Sequence, residues 1–236
     1  MVRQSQPRFL LTRPQPQSVR FARDLVGEVV ISPLMRTEVI PVTLPDTPFA
    51  AVVFTSETGV AAAQALGLAL PRLAYCVGAR TALAAQALGL EVKSADGDMA
   101  QLTALIRQER PDAPLLILRA EQVAGDLAAD LNSAGLETFS AVIYRQNACP
   151  LNAEAVALLQ QEVAVGVPLF SARSAQIFVA EYLRIGGVAR LLIAAMSPAV
   201  VAALELSPQD IEVAAQPDAA SMLAALREVT LRGLGS

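Results

Sequence analysis

The stretch LETFSAVIYR, residues 136–145, decides how this chain reads. It follows a helix pattern stopped by Gly135, then runs through β-branched and aromatic residues without a turn signal. Such a segment is long enough to leave one globular body and enter another. An earlier stretch has the same character: VVISPLMRTEVIPVT, residues 29–43. Each follows a strand-like run that closes on arginine, RFLLTRP at Arg13 and PLLILRA at Arg119. The chain is therefore expected to be a duplication carried on two extended tethers.

Working outward, strands alternate with short helices. PFAAVVFTS reads as a buried strand, and RLAYCVG, LEVKSAD and PLLILRA read as strands. The helices between them span residues 57–66, 81–88 and 99–107, and another spans 123–134; Gly67, Gly89 and Gly135 are helix stops. Asp98 with Gln101 three residues on forms a capping box at the start of the third. Nearer the N-terminus a helix with two prolines before it, stopped by Gly27, precedes the strand Val29–Ile31. The second half repeats this spelling: VPLFSARSAQIFVAEYL echoes AVVFTSETGVAAAQAL, and LLIAAMSPAVVAAL echoes LAYCVGARTALAAQAL. Phe54 to Phe170 is 116 residues, Arg13 to Arg119 is 106 and Gly78 to Ser197 is 119, an agreement within loop variation.

Alternating strands and helices of about ten residues mean a parallel sheet covered on both faces. If the tethers join two bodies, the strand at 9–12 belongs with the C-terminal strands and the strand at 115–118 with the central ones. The expected architecture is α/β with two similar parallel-sheet domains, one discontinuous (1–37 with 146–236) and one continuous (38–145). The continuous one includes both linker strands, about 38–43 and 139–145. A cleft between such domains is where ligands concentrate.

Composition bounds the chemistry. Of 236 residues 54% are hydrophobic, enough for a sizeable core, and the formal net charge is −4. There is no histidine, which excludes His-based triads, His-ligated metal and imidazole acid or base catalysis. Lys93 is the single lysine, so the positive charge is almost all arginine, the side chain that grips carboxylate or phosphate bidentately. No GxGxxG, P-loop or acidic metal cluster occurs, so neither cofactor nor metal is expected. An acidic chain without a basic or aromatic tract argues against nucleic acid. No apolar run suits a membrane span, the N-terminus lacks the apolar core of a signal peptide, and Cys76 and Cys149 read as free thiols; the expected location is the cytoplasm.

The candidate site residues stand at the C-terminal ends of the strands, just before helices, where unpaired amide N–H groups favour anions. They are Ser56, Gly78, Arg80, Thr81, Ser171, Arg173 and Ser197, joined by Arg13 and Arg119 at their strand ends. Each has a structural reading beside the functional one. Ser56 and Ser171 also suit N-caps, Gly78 a tight turn, and Arg80 and Arg173 solvent-facing arginines. Tyr144 is either a cross-strand partner in the tether or a phenolic proton donor in a site without imidazole.

Taken together, LLTRP at 10–14, VVFTSETGV at 52–60, CVGARTA at 76–82, LRAEQVAGDLAADLNSAG at 118–135, VIYR at 142–145 and LFSARSA at 169–175 resemble the short markers of the uroporphyrinogen-III synthases, in the family's order. The resemblance implies two flavodoxin-like α/β domains joined by a two-stranded linker. It implies as substrate hydroxymethylbilane, a linear tetrapyrrole with eight carboxylates, closed to uroporphyrinogen III with loss of water and inversion of ring D, without cofactor or metal. Tyr144 matches the family's connector tyrosine, proposed to assist hydroxyl loss. Thr81 matches a cleft threonine, and Ser56 and Ser171 match serines near the substrate carboxylates. One departure stands out: where the family often has a Gly-Pro-x-Thr turn, this chain has Ser197-Pro198-Ala199-Val200. A monomer is expected. The competing expectation is a two-lobed binding protein that holds a small polycarboxylate without turning it over.

Overall fold

The structure, a computed structural model, describes residues 6–123, 125–206 and 210–235. Its elements in chain order begin β1 (Arg8–Leu11), α1 (Gln15–Ala22), β2 (Glu28–Ile31) and β3 (Met35–Val39). There follow β4 (Ala51–Phe54), α2 (Glu57–Ala65), β5 (Leu73–Cys76), α3 (Ala79–Ala87), β6 (Glu91–Ser94), α4 (Met99–Glu109), β7 (Leu115–Ala120) and α5 (Leu127–Ser133). Then come β8 (Thr138–Ala148), α6 (Ala153–Leu159), β9 (Ala164–Leu169), α7 (Ala172–Arg184), β10 (Arg190–Ala195), α8 (Pro198–Ala202), β11 (Asp210–Val213) and α9 (Ala219–Leu234). They gather into two compact units, Met1–Arg36 with Ala148–Ser236 and Thr37–Asn147.

The second unit is a sheet of order β3-β8-β7-β4-β5-β6. Its central strand shows why the sequence reads as an unbroken apolar run: Ala51, Val52, Val53 and Phe54 are all fully buried. Val52 and Phe54 pack with Val60, Ala63, Ala82 and Ala85 of α2 and α3. Ala51 and Val53 point the other way, to Leu102 and Ile106 of α4 and Leu131 of α5. A parallel strand covered on both faces has no polar side to display. Each large side chain so buried contributes about 1.5–3 kcal/mol.

The first unit has the order β11-β10-β9-β1-β2, parallel throughout. Leu10 and Val30 pack with α6, α7 and α8, whereas Phe9 and Leu11 pack with α1 and α9. Counted in chain order from β4, the parallel strands of the second unit lie third, second, first, fourth, fifth. Counting the first unit from β9 through β11 and then on to β1 and β2 gives the same order. The duplication in the sequence is thus a duplication of topology.

β3 is the antiparallel exception. Cys149 N–H donates to Leu34 O, Arg145 pairs with Glu38 and Ile40 N–H donates to Ile143 O, so the register falls along one strand as it rises along the other. The antiparallel pair is Met35–Val39 with Thr138–Ala148, where the sequence suggested linker strands at about 38–43 and 139–145.

Several local expectations change. Residues 29–43 are not one extended run, because Ser32, Pro33 and Leu34 interrupt them and leave β2 and β3 in different sheets. Pro33 supplies no N–H for a ladder, and the Ser32 hydroxyl accepts from Asn152 N instead. The helix α1 ends at Ala22 with Arg23 as its cap, well before Gly27, and Pro16 lies within its first turn. The helix expected from Val123 begins at Leu127, where Asp126 accepts from Ala129 N; residue 124 lies outside the described residues. The helix α6, capped by Asn152, was not anticipated.

Candidate active site

The doubly wound order of the second unit turns between β4 and β7: α2 and α3 cover one face, α4 and α5 the other. At such a point the connections diverge and leave a crevice beyond the carboxyl ends of the strands. A cavity of about 400 Å³ lies there, lined among others by Thr55, Arg119, Gln122, Ser140, Tyr144 and Gln146.

Tyr144 reaches this place through an irregularity in β8. Arg119 pairs with Val142 but Ala120 pairs with Tyr144, so Ile143 is an extra residue on β8. Regular alternation would send Ile143 and Tyr144 to opposite faces; across the bulge both join the same core cluster, that of α2 and α3. There the ring is 6% exposed and its hydroxyl lies 2.9 Å from Ser56 Oγ. Burial raises the phenol's pKa above the ordinary tyrosine value, and the Ser56 bond pulls in the opposite direction. The result is a phenol that keeps its proton at neutral pH.

Ser56 holds its position as the N-cap of α2, where its Oγ accepts from Gly59 N at 3.1 Å. Its hydroxyl therefore has two partners inside the protein. Arg119 is likewise engaged: its Nε donates to Ser140 Oγ at 2.8 Å and one terminal nitrogen donates to Ala120 O at 2.9 Å. It stitches the end of β7 to β8 and brings a guanidinium to the cavity wall. Gly78 caps α3 with extended backbone and Arg80 on its first turn is exposed, while Thr81 is 4% exposed. Those three stand at the end of β5 and are not among the residues lining the cavity.

In the first unit, Arg13 follows β1 and lies over the Phe170 ring with 4.1 Å between its central carbon and the ring centre. Phe170 follows β9 and meets Phe21 edge-on at 5.4 Å, so the arginine rests on a packed aromatic floor. Ser171 is the N-cap of α7 in a reciprocal box with Ser174. Arg173 follows it on the first turn and is half-buried. Ser197 caps α8 through its backbone, without a capping bond from its hydroxyl. Among the described residues no group of three acidic or cysteine side chains suits a metal ion.

Sequence reasoning missed Gln122, Ser140 and Gln146 as cavity residues. The bulge that aims β8 leaves no mark in composition or periodicity, and the glutamines carry no motif.

A family model described as uroporphyrinogen-III synthase HemD matches residues 18–224. The chain belongs to the uroporphyrinogen-III synthase family. A synthase of this family closes hydroxymethylbilane to uroporphyrinogen III, and the chain is accordingly a cyclising lyase of tetrapyrrole biosynthesis. The fold agrees with solved synthases. Uroporphyrinogen-III synthetase from Helicobacter pylori superposes with a TM-score of 0.65 at 18% identity, over 94% of this chain and 99% of that one. A mutant uroporphyrinogen III synthase from the extremely thermophilic bacterium Thermus thermophilus gives 0.51 at 15% identity, over 96% and 99%. No curated protein matches the synthase in sequence. Among the described residues no helix is long and apolar enough to cross a membrane.

Proposed function

We propose that Tyr144 is the proton donor for loss of the substrate hydroxyl. The observation that carries this is a buried phenol, protonated at neutral pH, at the wall of the cavity beyond the strand ends. The phenol O–H breaks as its proton passes to the leaving oxygen. The carbon–oxygen bond breaks with its electron pair on that oxygen, and water departs. The substrate's own pyrrole nitrogen stabilises the cation left behind, so one weak acid suffices and the lack of histidine costs nothing. Carbon–carbon closure later releases a proton, which restores the phenol.

The carboxylates of the substrate call for arginines and for amide N–H groups at helix starts. In the second unit this work falls to Arg119 and to the first turn of α3 at Gly78, Arg80 and Thr81. In the first unit it falls to Arg13, Arg173 and the capped turns at Ser171 and Ser197. The two compact units act as separate domains, a division supported by their shared strand order. We further propose that the synthase works as a monomer in the cytoplasm; the free thiols Cys76 and Cys149 suit a reducing compartment.

The test is turnover of freshly made hydroxymethylbilane with separation of the product isomers. Unassisted closure gives the type I isomer, so type III product reports the enzyme. Tyr144→Phe should lower the rate of type III formation about tenfold or more. An unchanged rate reduces Tyr144 to a strut in the tether.

A further inference from the structure

We propose that Ser56 is the positioning residue of Tyr144: it hands the phenol oxygen a hydrogen bond anchored on the start of α2, so that the phenol's own hydrogen is directed at the substrate. This rests on the reading of Tyr144 as proton donor.

The geometry leaves the Ser56 hydroxyl little else to do. One lone pair of Oγ takes the N–H of Gly59, and the next contact is the Tyr144 oxygen at 2.9 Å. The serine has one hydrogen, and two arrangements of this contact exist. When the phenol donates to Ser56, its proton is withheld from the cavity. When Ser56 donates to the phenol, the tyrosine hydrogen is released toward a ligand and the phenolic oxygen is set to carry negative charge. A substrate hydroxyl that accepts from Tyr144 selects the second arrangement.

As the proton leaves, the charge growing on the phenolic oxygen meets a donor already in place. That donor is itself polarised, because its oxygen accepts from the positive end of a helix. The bond to Ser56 also acts against the rise in pKa that burial imposes on Tyr144, which makes the phenol a stronger acid than its apolar pocket alone would allow. The serine expected from the sequence to touch a substrate carboxylate is thereby given a different task. The two residues are 88 apart in the chain and meet only because of the cap on α2 and the bulge in β8.

The test compares the wild-type chain with Ser56→Ala, Ser56→Thr, Tyr144→Phe and, as a control for losing a helix cap elsewhere, Asp218→Ala at α9. Two measurements are made on folded protein: kcat and KM for type III product from freshly made hydroxymethylbilane across pH, and titration of tyrosinate absorbance. The tyrosinate step missing in Tyr144→Phe belongs to Tyr144. In Ser56→Ala that step should move to higher pH and kcat should fall about tenfold, the size of one hydrogen bond to a developing charge, with KM little changed. Ser56→Thr, which keeps hydroxyl and cap, should restore both, and Asp218→Ala should change neither. Full activity in Tyr144→Phe overturns the donor reading and this proposal with it. A slow Tyr144→Phe beside a Ser56→Ala with unmoved tyrosinate step and normal kcat overturns this proposal alone. So does a Ser56→Ala whose loss lies in KM, which would return the serine to the substrate.

Discussion

Gly27 and Gly67 both adopt positive φ, yet replacing them with alanine should have very different consequences. Gly27 has φ +150°, and a Cβ there would stand 2.3 Å from the backbone oxygen of Pro7 and 3.1 Å from the Phe9 ring. Pro7 O is also the acceptor for Glu28 N–H at 2.9 Å, the bond that opens the β1–β2 pairing. A side chain at such a φ costs about 1–3 kcal/mol in strain. Relieving the clash means moving the Pro7 carbonyl and losing that bond, about 1 kcal/mol more. Gly67→Ala suffers strain alone, since nothing lies within 4 Å of its Cβ. For αL backbone that is about 1–2 kcal/mol, partly offset because alanine also restricts the unfolded chain. Gly27→Ala should therefore lower the thermal midpoint by roughly 5–15 °C and Gly67→Ala by about 2–4 °C. Calorimetry gives the midpoints. Hydrogen exchange locates the damage, in β1 and β2 for the first variant and around β4 and β5 for the second. Equal midpoints, or a milder Gly27→Ala, would refute the reasoning from close approach.

Alkaline stability should follow Tyr75, whose pKa is raised strongly, first by burial and then by its hydrogen bond to Glu109. The unfolded chain releases the phenolic proton from about pH 10 while the folded chain keeps it, so stability is present below pH 10 and lost above it. Tyr144 and Tyr182 shift in the same direction, so Tyr75→Phe should flatten the fall of midpoint with pH only in part; an unchanged slope refutes the assignment. The Cys76 thiol, fully buried and pushed up to about 11, should resist a thiol reagent at neutral pH, with Cys149 the first to react; rapid labelling of Cys76 would show the core opening easily. Phe170→Leu removes the ring under Arg13, a contact worth about 0.5–2 kcal/mol, and should raise KM about two- to thirtyfold while kcat holds. A normal KM would mean that Arg13 does not need the ring to meet the substrate.

Much of the fold was legible because both faces of each sheet are covered. The run AVVF can only be a buried strand, and Asp98 with Gln101 marks the start of α4 as both a spelling and an observed pair of bonds. The echo between FTSETGV and FSARSAQ exposed the duplication, since equivalent strands ending in capped helices need equivalent residues. Ser32-Pro33-Leu34 was read through as extended chain because two consecutive strands in different sheets look the same locally as one long strand.

The site was legible only by type. Strand ends, serines and arginines could be named from the chain. That Arg119 is turned onto Ser140 and two carbonyls, that Arg13 lies on Phe170, and that Ser56 directs its hydroxyl to Tyr144 could not, because the partners that matter are mostly distant in sequence.

By itself the sequence determined the alternation of strand and helix, the repeat and the exclusion of imidazole chemistry, since these follow from local periodicity and residue type. Only the tertiary structure decided which strands neighbour one another and which hydroxyl meets which. A single extra residue in β8 sets the facing of Tyr144, and strand register arises between segments rather than within either of them.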